Sequence, residues 1–342
     1  LVGLSWGRVK TLVMEIIGYT SEDDSPGLPP TSTGAWISSI NSFGVMVGTA
    51  LIGGVYHPFK WAADGTPTDL GLPPTSTAAW INGINSAGVM VGVAVIGGVT
   101  HPFKWAADGT PTDFGLPPTS TEARINAINS FGVMVGYAVI GGVNHPFKWA
   151  ADGTPTDLGL PLTSTEARIF AINSSGVMVG YATIGGVNHP FKWAADGTPT
   201  DLGIPVIPDM DAAECTAIND LGVIAGTAYD SVDWLAAHAI VWLPDGTMVD
   251  LGSFGTAQAW VYCINDAGVI AGEKTDESWA VEYPLVTSTS LEPIYSSNIA
   301  GVTTDEQLPM QGDISYVLRF RLSAIGHAPT WANMSLLCPL IN

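Results

Sequence analysis

His57-Pro58-Phe59-Lys60-Trp61-Ala62-Ala63-Asp64-Gly65 is written four times in this chain, returning at His101, His145 and His189 with a constant step of 44 residues. A unit of that length is too short to bury a core alone. It suits one member of an array whose units cover each other's apolar faces. His57, Phe59 and Trp61 alternate with Pro58 and Lys60, so the stretch reads as a strand with one aromatic face. Asp64-Gly65 after it is a hairpin signal.

Working outward in the second copy, Ala79 to Asn85 reads as a short strand, and Ser86-Ala87-Gly88 as its turn. Val89 to Ile96 is an apolar, β-branched run, the pattern of a strand buried on both faces. Gly97-Gly98 ends it, and Thr100 to Trp105 and Thr110 to Phe114 give two more strands. Gly115-Leu116-Pro117-Pro118-Thr119-Ser120-Thr121 links to the next unit. Four short antiparallel strands in about 44 residues describe a propeller blade. The absence of a 3.6-residue apolar period excludes a helical solenoid.

The all-β fold expected is therefore a β-propeller of four-stranded blades. The Ile-Asn-x-x-Gly-Val motif counts the blades through Asn41, Asn85, Asn129, Asn173, Asn219 and Asn265, with Asn298-Ile299-Ala300-Gly301-Val302 as an eroded seventh copy. Val9 to Thr33 aligns without a gap to the second half of a unit, so the chain enters mid-blade and its terminal strands would close the ring. Seven blades are favoured, with six as the alternative. The expected organisation is one propeller over residues 1–322: an N-terminal half-blade at 1–33, clear repeats at 34–285 and an eroded last blade at 286–322. In that last blade Ile314 to Leu322 alternates as a strand. Residues 323–342 fit no repeat and would form a tail or cap.

Composition limits the partners. Eleven basic residues stand against 31 acidic ones, a net charge of −20. Nucleic acid binding requires clustered Lys and Arg, which the chain lacks. Anionic membrane surfaces are disfavoured for the same reason. No apolar run reaches the length of a membrane span. Cys215, Cys263 and Cys338 are too few for a disulfide framework and match no zinc spacing, though one disulfide is open to them.

The fifth unit, His238-Ala239-Ile240-Val241-Trp242-Leu243-Pro244-Asp245-Gly246, follows Ile218-Asn219-Asp220-Leu221-Gly222-Val223. It resembles the HAF repeat of bacterial extracellular proteins over residues 34–285. Units one to four carry His-Pro-Phe where that repeat has His-Ala-Phe. The resemblance implies an extracellular or cell-surface, propeller-like, non-catalytic protein, and it brings no catalytic residues with it.

The aromatic-histidine pairs His57 and Trp61, His101 and Trp105, His145 and Trp149, His189 and Trp193, and His238 and Trp242 are read as repeat core. Equivalent positions lie around a ring, too far apart for one metal ion to gather them. Lys60, Lys104, Lys148 and Lys192 point to the other face, either as an arc for acidic sugars or a neighbouring subunit's carboxylates, or each pairing locally with an acid or reaching solvent. Asp64, Asp108, Asp152, Asp196 and Asp245 precede glycine. They form hairpins unless further oxygens converge for calcium, the one cofactor considered. Asp209-Met210-Asp211-Ala212-Ala213-Glu214 is a denser calcium candidate.

The binding candidates are Trp36, Trp80, Arg124 and Arg168, which share one place in successive units and differ in kind. The functional expectation is a non-enzymatic scaffold that self-associates or adheres, its tail adding a strand to a neighbour. A lectin-like module using these four residues against a cell-surface glycan is the alternative, and an enzyme at the propeller mouth is a third reading.

Overall fold

The computed structural model describes residue 29, residues 31 to 232 and 234 to 274, and the backbone of two further strands, Glu277–Glu282 and Leu318–Phe320. Blade I is built from β1 (Ser32–Ile40), β2 (Met46–Ile52), β3 (Val55–Trp61) and β4 (Pro67–Asp69). They pair antiparallel in chain order. Blades II to VI repeat this order from first strands at Ser76–Ile84, Ser120–Ile128, Ser164–Ile172, Ala212–Ile218 and Ala259–Ile264. Each first strand touches the first strand of the next blade, so these strands line the axis of the propeller.

The second strand is buried along most of its length, as its apolar run requires. One face of each blade from II to VI packs on the blade before it. In blade II, Ala79, Ile81, Met90, Phe103 and Trp105 close over Val47 and Leu70 of blade I. The repeat tryptophans Trp61, Trp105, Trp149, Trp193 and Trp242 are almost wholly buried there. The first strand starts earlier than the sequence suggests. Ser76 already pairs with Ile96, because its N–H and hydroxyl both bond the carbonyl of Pro73 and turn the linker straight into the sheet.

Two devices recur. In every blade the first strand carries a bulge, and in blade II it lies at Asn82. Opposite sits a glycine of the second strand. A Cβ on Gly92 would stand 2.0 Å from the carbonyl oxygen of Trp80, so no other residue fits. The second device joins blades. The Asn129 side-chain oxygen accepts from the Phe131 and Val133 amides and closes its own turn. Its Nδ2 donates to the main-chain oxygen of Asn173 at 3.1 Å. The same bond runs from Asn41, Asn85, Asn173 and Asn219 to the equivalent residue of the next blade.

Six blades are described. Of the residues expected to form a seventh, 1–33 and 286–322, most lie outside the described residues, as do the tail 323–342, Cys338 and the closing terminal strands. Leu318–Phe320 pairs antiparallel with Glu277–Glu282 as the fourth strand of the blade VI sheet. Its alternation identified a strand, but alternation does not choose the partner. Cys215 and Cys263 are free thiols. No helix among the described residues is long and apolar enough to cross a membrane.

Candidate functional site

Trp36, Trp80, Arg124 and Arg168 occupy one position, directly opposite Thr49, Val93, Tyr137 and Tyr181 of their second strands. Glu214 and Trp260 hold the same place in blades V and VI, opposite Thr227 and Glu273. The six form a row around the axis, one per blade, and all are half-buried. They lie toward the end of the blades that carries the Gly-Gly hairpins, here termed the mouth.

Row residues meet side chains of their own blade, of the blade before, or of both. Tyr56 of β3 lies between two tryptophans, with ring centroids 6.0 Å from Trp36 and 5.2 Å from Trp80. The Arg168 guanidinium stands over the Tyr137 ring of blade III at 4.7 Å, and 6.0 Å from its own Tyr181. Glu166 accepts from Asn144 of blade III and, at 3.3 Å, from the Tyr181 hydroxyl. Asn188 donates to the Tyr229 hydroxyl at 2.9 Å. Tyr229 and Trp234 stack at 4.5 Å, with Trp260 beside both. Trp234 sits on the longer hairpin loop of blade V, nearly half exposed, with a left-handed φ of 61°. A tryptophan in that region is uncommon and is held there by the stack.

Electrostatics single out Glu214. Burial pushes its carboxyl up to about 7, with Arg168 pulling the other way. Burial also raises the Tyr181 and Tyr229 phenols, with the Glu214 charge adding to it. A carboxyl near neutrality beside a guanidinium can exchange a proton or compete for the cation.

The histidines are structural. The Nδ1 atoms of His57, His101, His145, His189 and His238 lie 3.0–3.1 Å from Asp69, Asp113, Asp157, Asp201 and Asp250 of the same blade. Each of these carboxylates also accepts a following glycine amide, as Asp69 does from Gly71. Among the described residues the repeat lysines make no ion pair with a carboxylate. Lys60, Lys104 and Lys148 donate to the carbonyls of Ala107, Ala151 and Ala195, in the hairpin of the next blade. The Asp-Gly carboxylates are occupied locally: Asp64 accepts from the Thr66 amide, which lowers its pKa from the ordinary carboxylate value.

The denser acidic cluster does not converge. Asp211 binds the Ser231 amide and hydroxyl, while Glu214 faces the mouth from a strand. Among the described residues no three His, Cys, Asp or Glu side chains gather as a metal site.

The structure brings Trp36 and Trp80 together through Tyr56, and no contact joins that pair to Arg124 or Arg168. Sequence reasoning placed Glu214 in an acidic cluster and not in this row, and missed Trp260, although the 46-residue steps of the last two units place both in line with Arg168. It also missed Tyr56, Tyr137 and Tyr181. The signal was present: between residues 80–123 and 124–167 the copies differ at seven positions. Three of these (Trp80 to Arg124, Val93 to Tyr137 and Thr100 to Asn144) fall in this one patch.

No protein-family model and no curated protein matches the chain. Solved structures with a similar course include TolB from Acinetobacter baumannii, at 10% identity and TM-score 0.46 over 64% of this chain and 54% of that one. An oligogalacturonate lyase from Vibrio parahaemolyticus has 8% identity and TM-score 0.47 over 77% and 81%. A gluconolactonase from Xanthomonas campestris has 14% identity and TM-score 0.43 over 72% and 85%. The chain spans little more than half the length of the TolB it resembles.

Proposed function

We propose that the protein is a non-catalytic, extracellular carbohydrate-binding propeller whose ligand enters at the mouth. The observation that carries this reading is the Trp36–Tyr56–Trp80 cluster set in the row of six. Half-exposed rings at an opening give flat apolar platforms for the C–H faces of a sugar, while the neighbouring Asn, Glu and Arg groups supply directional bonds. Near-identical repeats that diverge at this patch fit a surface shaped by a ligand, because packing alone tolerates many swaps elsewhere.

A self-associating scaffold is the second reading. Its motivation, residues 323–342, lies outside the described residues. Phe43 and Phe131, exposed at 69% and 73% on turns at the opposite end, favour it. The fourth strands of blades I to IV weigh against strand addition at the sheet edge. They are three residues long and begin with proline, a poor template for a partner strand.

The test is a glycan array followed by titration calorimetry on the best hit. Trp80→Ala is expected to weaken binding about tenfold, the loss of one stacking contact, with circular dichroism unchanged. A folded wild-type sample that binds no glycan overturns the reading.

A further inference from the structure

Arg124 and Arg168 are the two arginines whose side chains are described, and both stand in the row at the mouth. Neither is consumed by the fold. Arg168 makes no ion pair or hydrogen bond among the described residues, and its buried Nε has no partner. Its guanidinium is instead held flat over Tyr137. The acid two residues away, Glu166, is drawn off by Asn144 and Tyr181. Arg124 shares the hydrogen-bond vacancy but not the stack: its Nε has no hydrogen-bond partner, and its one ion pair, to Glu122, is long at 3.8 Å. In a chain this acidic, a stacked cation without an acid contact, beside a second held only by a long ion pair, needs another explanation.

Building on the carbohydrate reading above, we infer that the ligand is an acidic saccharide whose carboxylates are received by Arg124 and Arg168 while sugar rings rest on Trp36 and Trp80. A guanidinium fixed by stacking keeps its planar fork of donors open and pre-set for a two-oxygen anion. Carboxylate is favoured over a phosphate dianion because Glu122, Glu166 and Glu214 flank the two arginines and oppose a second negative charge. The spacing of one arginine per blade suits a polymer with a carboxylate on successive residues, so that two are engaged by neighbouring blades.

Calorimetry with an oligosaccharide of uronic acids, its carboxyl-reduced neutral counterpart of equal length, and a sulfated oligosaccharide tests this directly. The uronate is expected to bind at least tenfold more tightly than either of the others. The preference should weaken as salt rises. In the double variant Arg124→Gln/Arg168→Gln, checked for folding by circular dichroism, the ratio of uronate to neutral affinity should fall at least tenfold. Trp80→Ala should lower both affinities and leave the ratio near the wild-type value. Equal wild-type binding of uronate and neutral forms overturns the acidic ligand but leaves the carbohydrate reading standing. So does tighter binding of the sulfated form, or a preference that survives the double variant. Binding of none of the three overturns both.

Discussion

Asn129 offers the sharpest test of how the blades are joined. Its side chain is 5% exposed and makes three bonds: two accepted by Oδ1 within its own turn, and one donated by Nδ2 to Asn173 of blade IV. Asn129→Ala removes all three: the Phe131 and Val133 amides lose their acceptor, and the Asn173 carbonyl keeps only its bond from Gly176. At about 1 kcal/mol for each lost bond, the expected loss is about 3 kcal/mol. Asn129→Asp is the more discriminating change. It keeps the accepting oxygens but at neutral pH sets a buried carboxylate against the Asn173 carbonyl.

The folded-state pKa of that aspartate must rise, since burial and the facing oxygen both oppose its charge. Its stability is therefore retained below the ordinary carboxylate value of about 4 and lost as pH rises through the elevated one. Urea denaturation at pH 4 and pH 8 reads the difference relative to wild type. The protonated form can again donate to Asn173, so Asn129→Asp should approach wild type at pH 4. At pH 8 it should fall at least as far as Asn129→Ala. Hydrogen exchange should report the loss first at Val133 and in the facing turn of blade IV. Equal relative stability at the two pH values, or an alanine variant within about 0.5 kcal/mol of wild type, would refute the joining role.

Other expectations follow from the same geometry. Gly92→Ala places a Cβ against the Trp80 carbonyl, a main-chain atom that cannot swing aside, and should cost about 3 kcal/mol, the upper end for overpacking; thermal unfolding measures it, and an unchanged melting temperature counts against the close approach. Glu214 has a folded-state pKa raised to about 7, so its contribution is intact below about pH 4.5 and lost as pH climbs to 7. Glu214→Gln should then exceed wild-type stability by about 2 kcal/mol at pH 8, after allowing for solvent screening of a half-buried group, and match it at pH 4. Identical pH profiles for the two would exclude the shift. Lys104→Met removes the bond to Ala151 at an exposed site and should cost no more than about 1 kcal/mol; a larger loss by urea denaturation would mean that the lysines do more than tie one hairpin to the next.

The four-strand unit and its place in a propeller were legible because turns, β-branched runs and aromatic alternation all repeat with one period. Chain connectivity was less so. Ile314 to Leu322 announces a strand, yet which strand it pairs with depends on a third strand more than 30 residues earlier. Within the site, Trp36, Trp80, Arg124 and Arg168 were visible because the copies disagree there. Tyr56, Tyr137 and Tyr181 were not, because they sit on other strands and meet the row only across the sheet or between blades. The partners of His57 and Lys60 were hidden for a similar reason. Their partners are Asp69, 12 residues ahead, and the Ala107 carbonyl, 47 residues ahead, and periodicity does not reveal who faces whom.

The asparagine that closes each turn carries donor and acceptor on one residue. Every blade therefore shows the same plug to its successor and the same socket to its predecessor. A tandem gain or loss of 44 codons would leave this asparagine joint matched, since every described joint uses the same bond. The coding sequence can thus lengthen or shorten by slippage while the joints stay intact. Divergence between copies is left to side chains that point away from the joint, and the row at the mouth is where this chain has used that freedom.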